Sequence, residues 1–234
     1  MRRLESLLDA AEEADVYVLP EMFTTGFVML PQGVADSDGK TVEWMCRQAR
    51  LHGAALAGSV AVESDGRFFN RFYFVEPDGR VHSYDKRHLF TYSGEQRNYS
   101  AGSSRVVVSY QGVRFLLAVC YDLRFPVWTR NRGDYDVALY VANWPVSRVQ
   151  AWTTLLRARA IENQCYVIGV NRVGEGDGCS YSGASAIINP YGKVIAEGTD
   201  HTECSFLATI DMDALQAFRQ KFPVLTDGDA WSIG

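Results

Sequence analysis

The sequence predicts an α/β or mixed α+β fold with its helices outside its sheets. Three observations carry this expectation. Short apolar strands alternate with amphipathic helices from one end of the chain to the other. Most of those strands are apolar on both faces, which requires sheets covered on both sides. No linker or low-complexity stretch interrupts the alternation. A chain of 234 residues is long enough to bury one substantial core, so a single domain over residues 1–234 is expected.

Leu4, Leu7, Leu8, Ala11 and Ala14 recur at helical spacing, so the chain opens in a helix. Val16-Tyr17-Val18-Leu19 reads as a buried strand that ends at Pro20. Thr41 can cap a second helix whose apolar face carries Val42, Met45 and Ala49, and Gly53 can end it. Residues 54–62 return as a strand. Two turns then share one grammar. Glu76-Pro77-Asp78-Gly79 joins a strand at 69–75 to one at 81–84, and Asn189-Pro190-Tyr191-Gly192 joins 184–188 to 194–196. In each, proline presets the turn and glycine relieves its last position. Between them lie strands at 115–119, 137–141 and 166–170. A long helix over 149–163 places Val149, Trp152, Leu156 and Ala160 on one face.

Apolar residues make up 47% of the chain and charged ones 22%, the balance of an ordinary globular protein. The formal net charge of -5, without any basic stripe, argues against a nucleic-acid surface. No apolar stretch approaches the length that spans a bilayer, and the basic start lacks the apolar region of a signal peptide. Cys46, Cys120, Cys165, Cys179 and Cys204 are odd in number, scattered and never in a CxxC pair. That pattern fits neither a disulfide framework nor a zinc site, so no metal is expected and a reducing cytoplasm is the simplest home.

The chemistry concentrates at strand ends. Cys120 follows the strand 114–119, and Tyr121-Asp122-Leu123-Arg124-Phe125-Pro126 breaks the strand pattern at once. A thiol on such an elbow is exposed, and backbone N–H groups there favour the thiolate. Cysteine is also among the most buried residue types, so plain core packing is the alternative. Glu21 ends the first strand, before the aromatic, glycine-containing stretch Met22-Phe23-Thr24-Thr25-Gly26-Phe27. Lys86 ends another, in Tyr84-Asp85-Lys86-Arg87-His88-Leu89-Phe90. Either charge alone reads as a solvated strand end. A Glu, a Lys and a Cys each closing an apolar strand are harder to set aside, because a cysteine hydrolase needs a nearby base and donors for an oxyanion. Of the histidines, His52, His82 and His201 read as surface, while His88, beside Lys86, remains an alternative base.

Three motifs carry a resemblance: Leu19-Pro20-Glu21-Met22-Phe23, Tyr84-Asp85-Lys86-Arg87-His88-Leu89-Phe90 and Cys120-Tyr121-Asp122-Leu123-Arg124-Phe125-Pro126. In order and spacing they resemble the nitrilase or carbon–nitrogen hydrolase superfamily, and within it the omega-amidase-like amidohydrolases. Supporting stretches are Val141-Ala142-Asn143-Trp144-Pro145, Arg157-Ala158-Arg159-Ala160-Ile161-Glu162-Asn163 and Asn171-Arg172-Val173-Gly174. The resemblance spans essentially the whole chain. It implies a four-layer αββα sandwich that forms a homodimer, works without a cofactor and takes a small-molecule amide as substrate.

The resemblance also assigns roles. Glu21 would be the general base, Cys120 the nucleophile that forms a thioester, and Lys86 the cation beside the thiolate and the oxyanion. A second carboxylate of the family would fall on Glu95. Trp-Glu typically follows the cysteine in true nitrilases, so Tyr121-Asp122 with Arg124-Phe125-Pro126 looks like the amidase and carbamoylase branches. An omega-amidase acts on the monoamide of a 2-oxo dicarboxylic acid, so a cation must meet a free carboxylate. Arg124 and Arg172 are the candidates, because arginine binds carboxylates through two N–H groups. The alternative is that Arg124 pairs with Asp122 and Arg172 faces water. Phe27, Tyr121 and Trp144 would form an apolar wall.

Relatives begin with a strand before the first helix, whereas this sequence starts inside that helix. Either the start given lies within a longer product or one strand of a sheet is absent. Gly174-Glu175-Gly176-Asp177-Gly178 has no following helix and no Gly-Lys-Ser, which excludes a phosphate loop, and too few oxygens for a calcium loop. It reads as a flexible turn. Other readings of the same residues are an N-carbamoyl amidohydrolase, a nitrilase, and a non-catalytic interaction module on the same fold.

Overall fold

The computed structural model describes residues 1–176, 178–230 and 232. The chain runs α1 (Arg2–Ala10), β1 (Val16–Val18), α2 (Lys40–His52), β2 (Ala55–Ser64), β3 (Arg67–Val75) and β4 (Val81–Asp85). It continues through β5 (Val107–Tyr110), β6 (Val113–Val119), α3 (Pro126–Thr129), β7 (Val137–Ala142), α4 (Val149–Asn163) and β8 (Tyr166–Asn171). The last elements are β9 (Val173–Gly176), β10 (Cys179–Ser182), β11 (Ala186–Ile188), β12 (Val194–Glu197) and α5 (Met212–Lys221).

Two mixed sheets result. One has the order β1-β2-β3-β4, with β1 parallel to β2 and the rest antiparallel. The other has the order β12-β11-β8-β7-β6-β5, with a parallel centre of β6, β7 and β8. The layers follow from alternation along each strand. In β6 and β7, Phe115, Leu117, Val119, Val137, Leu139 and Val141 face Ala55, Ala57, Phe72, Phe74 and Tyr84 of the other sheet. Their neighbours Leu116, Ala118, Ala138 and Tyr140 point outward onto Trp152, Leu156 and Ala160 of α4. The first sheet turns Leu56 and Val75 to Leu8 of α1 and to Trp44, Met45 and Ala49 of α2. The product is helix, sheet, sheet, helix. Each large side chain fully buried in these layers contributes about 1.5–3 kcal/mol.

Several expectations need correction. α1 stops at Ala10, not Ala14, and Ala11 is already extended at φ -74, ψ 153. Asp9, Glu12, Glu13 and Asp15 crowd negative charge at that end, where the helix dipole favours cations. Thr41 lies inside α2 and does not cap it. The Asp36 carboxylate does so from outside, accepting from the N–H groups of Gly39 (2.9 Å) and Thr41 (2.7 Å). Gly53 does end α2, at φ 62. The stretch 174–178, read as a turn, belongs largely to the antiparallel pair β9–β10, with Tyr181 opposite Gly174; Asp177 lies outside the described residues. β1 is an edge strand. A groove of about 720 Å³ runs beside it, lined by α1 and the 202–210 segment and reaching Glu21 and Asn143. Among the described residues no helix is long and apolar enough to cross a membrane.

Candidate active site

Both sheets send residues to one end of the sandwich. Pairing of the first strand continues past Val18, because the Leu19 N–H donates to Ala57 O at 2.7 Å, and Pro20 then ends it. Glu21 follows, 1% exposed. Its Oε1 accepts from Asn70 Nδ2 (2.7 Å) and Lys86 Nζ (3.2 Å). Its Oε2 accepts from the Asn143 backbone N–H (2.7 Å) and Asn143 Nδ2 (3.2 Å). Four donors on one buried carboxylate leave it little freedom to turn.

Lys86 leaves β4 with its backbone still paired: its N–H donates to Asn70 O at 2.9 Å, and its carbonyl accepts from Gly102 N at 3.0 Å. A Cβ at position 102 would stand 2.1 Å from Asp85 O, so only glycine allows this approach. Lys86 Nζ reaches Glu95 Oε2 at 3.0 Å and Oε1 at 3.1 Å. Glu95 sits in a tight 3-10 turn after Gly94 and accepts a further bond, from Phe90 N at 2.5 Å. Burial by itself pulls a lysine toward neutrality, but the charges of Glu21, Glu95 and Cys120 overcome it and hold Lys86 well above its ordinary value. Burial pushes the Glu95 carboxyl up, against the pull of Lys86.

Cys120 follows β6 with φ 45, a strained value for a residue with a Cβ, and opens a 3-10 turn over Cys120–Arg124. Val119 pairs with Val141 of the adjacent parallel strand, so Cys120 and Asn143 leave the sheet at one level. The elbow is held by Asp122, which is fully buried. Its Oδ2 accepts from Tyr84 Oη (2.8 Å) and Val119 N (2.9 Å), and its Oδ1 from His88 N (3.0 Å), with the His88 ring Nδ1 at 2.7 Å. One carboxylate thereby staples the Lys86 segment to the Cys120 elbow. Arg159 of α4 caps the turn from behind, donating to Leu123 O at 2.6 and 3.1 Å.

The thiol differs from expectation. Burial first, and then the neighbouring Glu21 charge, push Cys120 well above its ordinary value of 9.0, and Lys86 only partly opposes them. Burial therefore works against the thiolate, and one short 3-10 turn carries too little dipole to offset it. His88, the alternative base, is occupied: its ring faces Asp122 and stacks on Phe125 at 3.7 Å between centroids. A carboxylate, an ammonium and a thiol thus share one buried pocket, a set able to move a proton and to stabilise a developing oxyanion.

The carbon-nitrogen hydrolase family model matches residues 1–220. The chain belongs to that family. It is 49% identical over 234 residues to the omega-amidase YafV of Escherichia coli K12, covering all of this chain and 91% of that protein. It is 38% identical over 223 residues to a 2-oxoglutaramate amidase of Bacillus subtilis, covering 93% and 86%. Among solved structures, XC1258 of Xanthomonas campestris, a CN-hydrolase superfamily protein with an arsenic adduct in its active site, superposes with a TM-score of 0.96. It shares 44% identity, over 100% of this chain and 92% of that one. This carbon-nitrogen hydrolase is an amide-cleaving enzyme with the mixed two-sheet sandwich of the nitrilase fold.

The residues expected on the substrate side divide. In this hydrolase Phe27 lies against Lys86, whose Nζ is 5.5 Å from the ring centroid. Tyr121 packs edge-on against Phe90 and Phe125, each at 5.0 Å. Trp144 is 3% exposed and belongs to the core beneath α4, against Trp152 at 5.5 Å. Arg124 does not pair with Asp122; its guanidinium lies 5.0 Å above the Trp144 ring. Arg172 is engaged locally, by Asn143 Oδ1 (3.4 Å), Glu175 O (3.1 Å) and the Tyr181 ring at 4.5 Å. Asn70, Asn143, Asp122 and Arg148 went unassigned in the sequence. Asn70 had a visible signal, a lone amide inside the aromatic stretch Phe68-Phe69-Asn70-Arg71-Phe72.

Proposed function

We propose that the enzyme hydrolyses the terminal carboxamide of a small 2-oxo dicarboxylic acid, with Cys120 as nucleophile, Glu21 as general base, and Lys86 and Glu95 beside them. The observation that carries this reading is the buried Glu21–Lys86–Glu95 cluster, whose charges act directly on the Cys120 thiol. The likeness to omega-amidase YafV and to 2-oxoglutaramate amidase supplies the substrate class.

A thiol held above its ordinary value needs a base at the moment of attack. Glu21 takes the Cys120 proton as sulfur adds to the amide carbon, and Lys86 with the Tyr121 backbone N–H meets the oxyanion. The proton passes to the leaving nitrogen and ammonia departs, which leaves a thioester. Glu21 then deprotonates a water, which attacks the thioester carbon; the products are the dicarboxylic acid and the free thiol. Asn70 and Asn143 hold the Glu21 carboxylate fixed through both halves. Glu95 anchors Lys86 by two bonds and is itself fixed by Phe90 N. Phe27 and Tyr121 line the apolar approach. We assign the enzyme to the cytoplasm as a homodimer. Its five free thiols suit a reducing compartment, and pairing follows the habit of the family.

The test is ammonia release from 2-oxoglutaramate and 2-oxosuccinamate, wild type beside Cys120→Ala. Wild-type turnover reduced about 10⁴-fold or more in the variant is expected. A folded wild type inert on both amides would refute the substrate class. Turnover that survives in Cys120→Ala would refute the nucleophile.

A further inference from the structure

We propose that Arg148 reads the free carboxylate of the substrate and determines preference for acidic over neutral amides. The inference rests on the acid-amide reading above and names a residue that serves it. Arg148 ends the 3-10 turn Val146–Arg148 between β7 and α4. Its carbonyl accepts from the indole Nε1 of buried Trp144 at 2.7 Å, which pins its backbone to the core. Its guanidinium lies 5.3 Å from the Phe90 ring centroid and 6.0 Å from that of Tyr92. Phe90 in turn donates its N–H to Glu95 Oε2 at 2.5 Å and packs its ring on Tyr121. The cation therefore stands one side chain away from the Lys86–Glu95 pair.

The pairing of the other buried and half-buried cations narrows the choice. The chain holds 28 acidic residues against 23 Lys and Arg. Arg71, Arg105, Arg114, Arg159 and Arg219 each pair with an Asp or Glu. Among the described residues none pairs with half-buried Arg148, which rests on aromatic faces alone. An aromatic support fixes the plane of a guanidinium and leaves its N–H edge free for a two-point bond to a carboxylate. Of the other candidates, Arg172 is spent on Asn143 and Glu175. Arg124 is exposed, and its guanidinium lies over the Trp144 ring and not over Phe90. In an extended five-carbon omega-amido acid the amide carbon and the far carboxylate are about 5 Å apart, roughly the thickness of one intervening side chain.

The experiment compares kcat/KM for 2-oxoglutaramate with that for pentanamide, a neutral amide of equal length, in wild type, Arg148→Met and Arg148→Lys. Methionine keeps an apolar stem against Phe90 while removing the charge. The acidic-to-neutral ratio should fall at least about tenfold in Arg148→Met, through KM more than kcat, with part of it regained in Arg148→Lys. A ratio unchanged by Arg148→Met, or an equal loss on both amides, overturns the assignment and leaves the acid-amide reading standing. A wild type that hydrolyses both amides equally overturns the acid-amide reading and Arg148 with it.

Discussion

Asp122→Asn would loosen the joint between the Cys120 elbow and the Lys86 segment while keeping the size of the side chain. The carboxylate accepts from Tyr84, Val119 and the His88 backbone and faces the His88 ring, at 2.7–3.0 Å. An amide offers an oxygen on one side and N–H groups on the other. Tyr84 can turn its hydroxyl and His88 can change tautomer, so those two adapt. A backbone N–H cannot, and either Val119 or His88 loses its acceptor at a cost of about 1–3 kcal/mol. Exchanging charged for neutral acceptance gives up roughly 1 kcal/mol more. The sum, about 2–4 kcal/mol, lowers Tm by roughly 4–16 °C for a chain of this size. Thermal unfolding by circular dichroism reads the stability, and ammonia release reads the activity. Since substrate need not touch Asp122, kcat should fall more than KM. A variant that melts within about 1 °C of wild type and turns over normally would refute the staple. Asp122→Ala strands all of these donors and should threaten folding itself.

Two further outcomes follow from the buried charges. Alkylation of Cys120 by iodoacetamide should keep climbing past pH 9, because burial and Glu21 hold the thiol well above its ordinary value; a plateau below pH 7 would show a thiolate already formed. Asp136 feels burial, which raises it, but bonds from Arg114 and Arg219 outweigh this and hold its carboxyl below 3.8. Its share of stability is present above that unfolded value and is lost as pH falls through the folded one, so Asp136→Asn should flatten the acid limb of a stability–pH curve.

How much of this was legible varies from residue to residue. Strands apolar on both faces announced covered sheets, and β7 is buried along its whole length and β6 from Phe115 onward, as that pattern required. The turns at 76–79 and 189–192 stood out because proline and glycine fix local geometry by themselves. α5 was missed although Asp211 caps it, accepting from Ala214 N at 2.8 Å, since its face is mostly exposed and its periodicity weak. Glu21, Lys86 and Cys120 were legible as charged or nucleophilic ends of apolar strands. Asp122 was quoted in a motif but not understood, because its partners Tyr84 and His88 lie more than thirty positions away and only the fold brings them together. The upward push on the thiol was likewise invisible: a sequence shows an elbow, but desolvation depends on what closes over it.

The proposed reacting groups are divided between the two sheets. Glu21 and Lys86 leave the first, on β1 and β4, while Cys120 and Asn143 leave the second, on β6 and β7. Neither half of the polypeptide carries a competent centre, so a growing chain stays chemically silent until the sheets have closed face to face. Recovery of ammonia release during refolding therefore clocks the docking of the two sheets, a late event that backbone spectroscopy of either one would pass over.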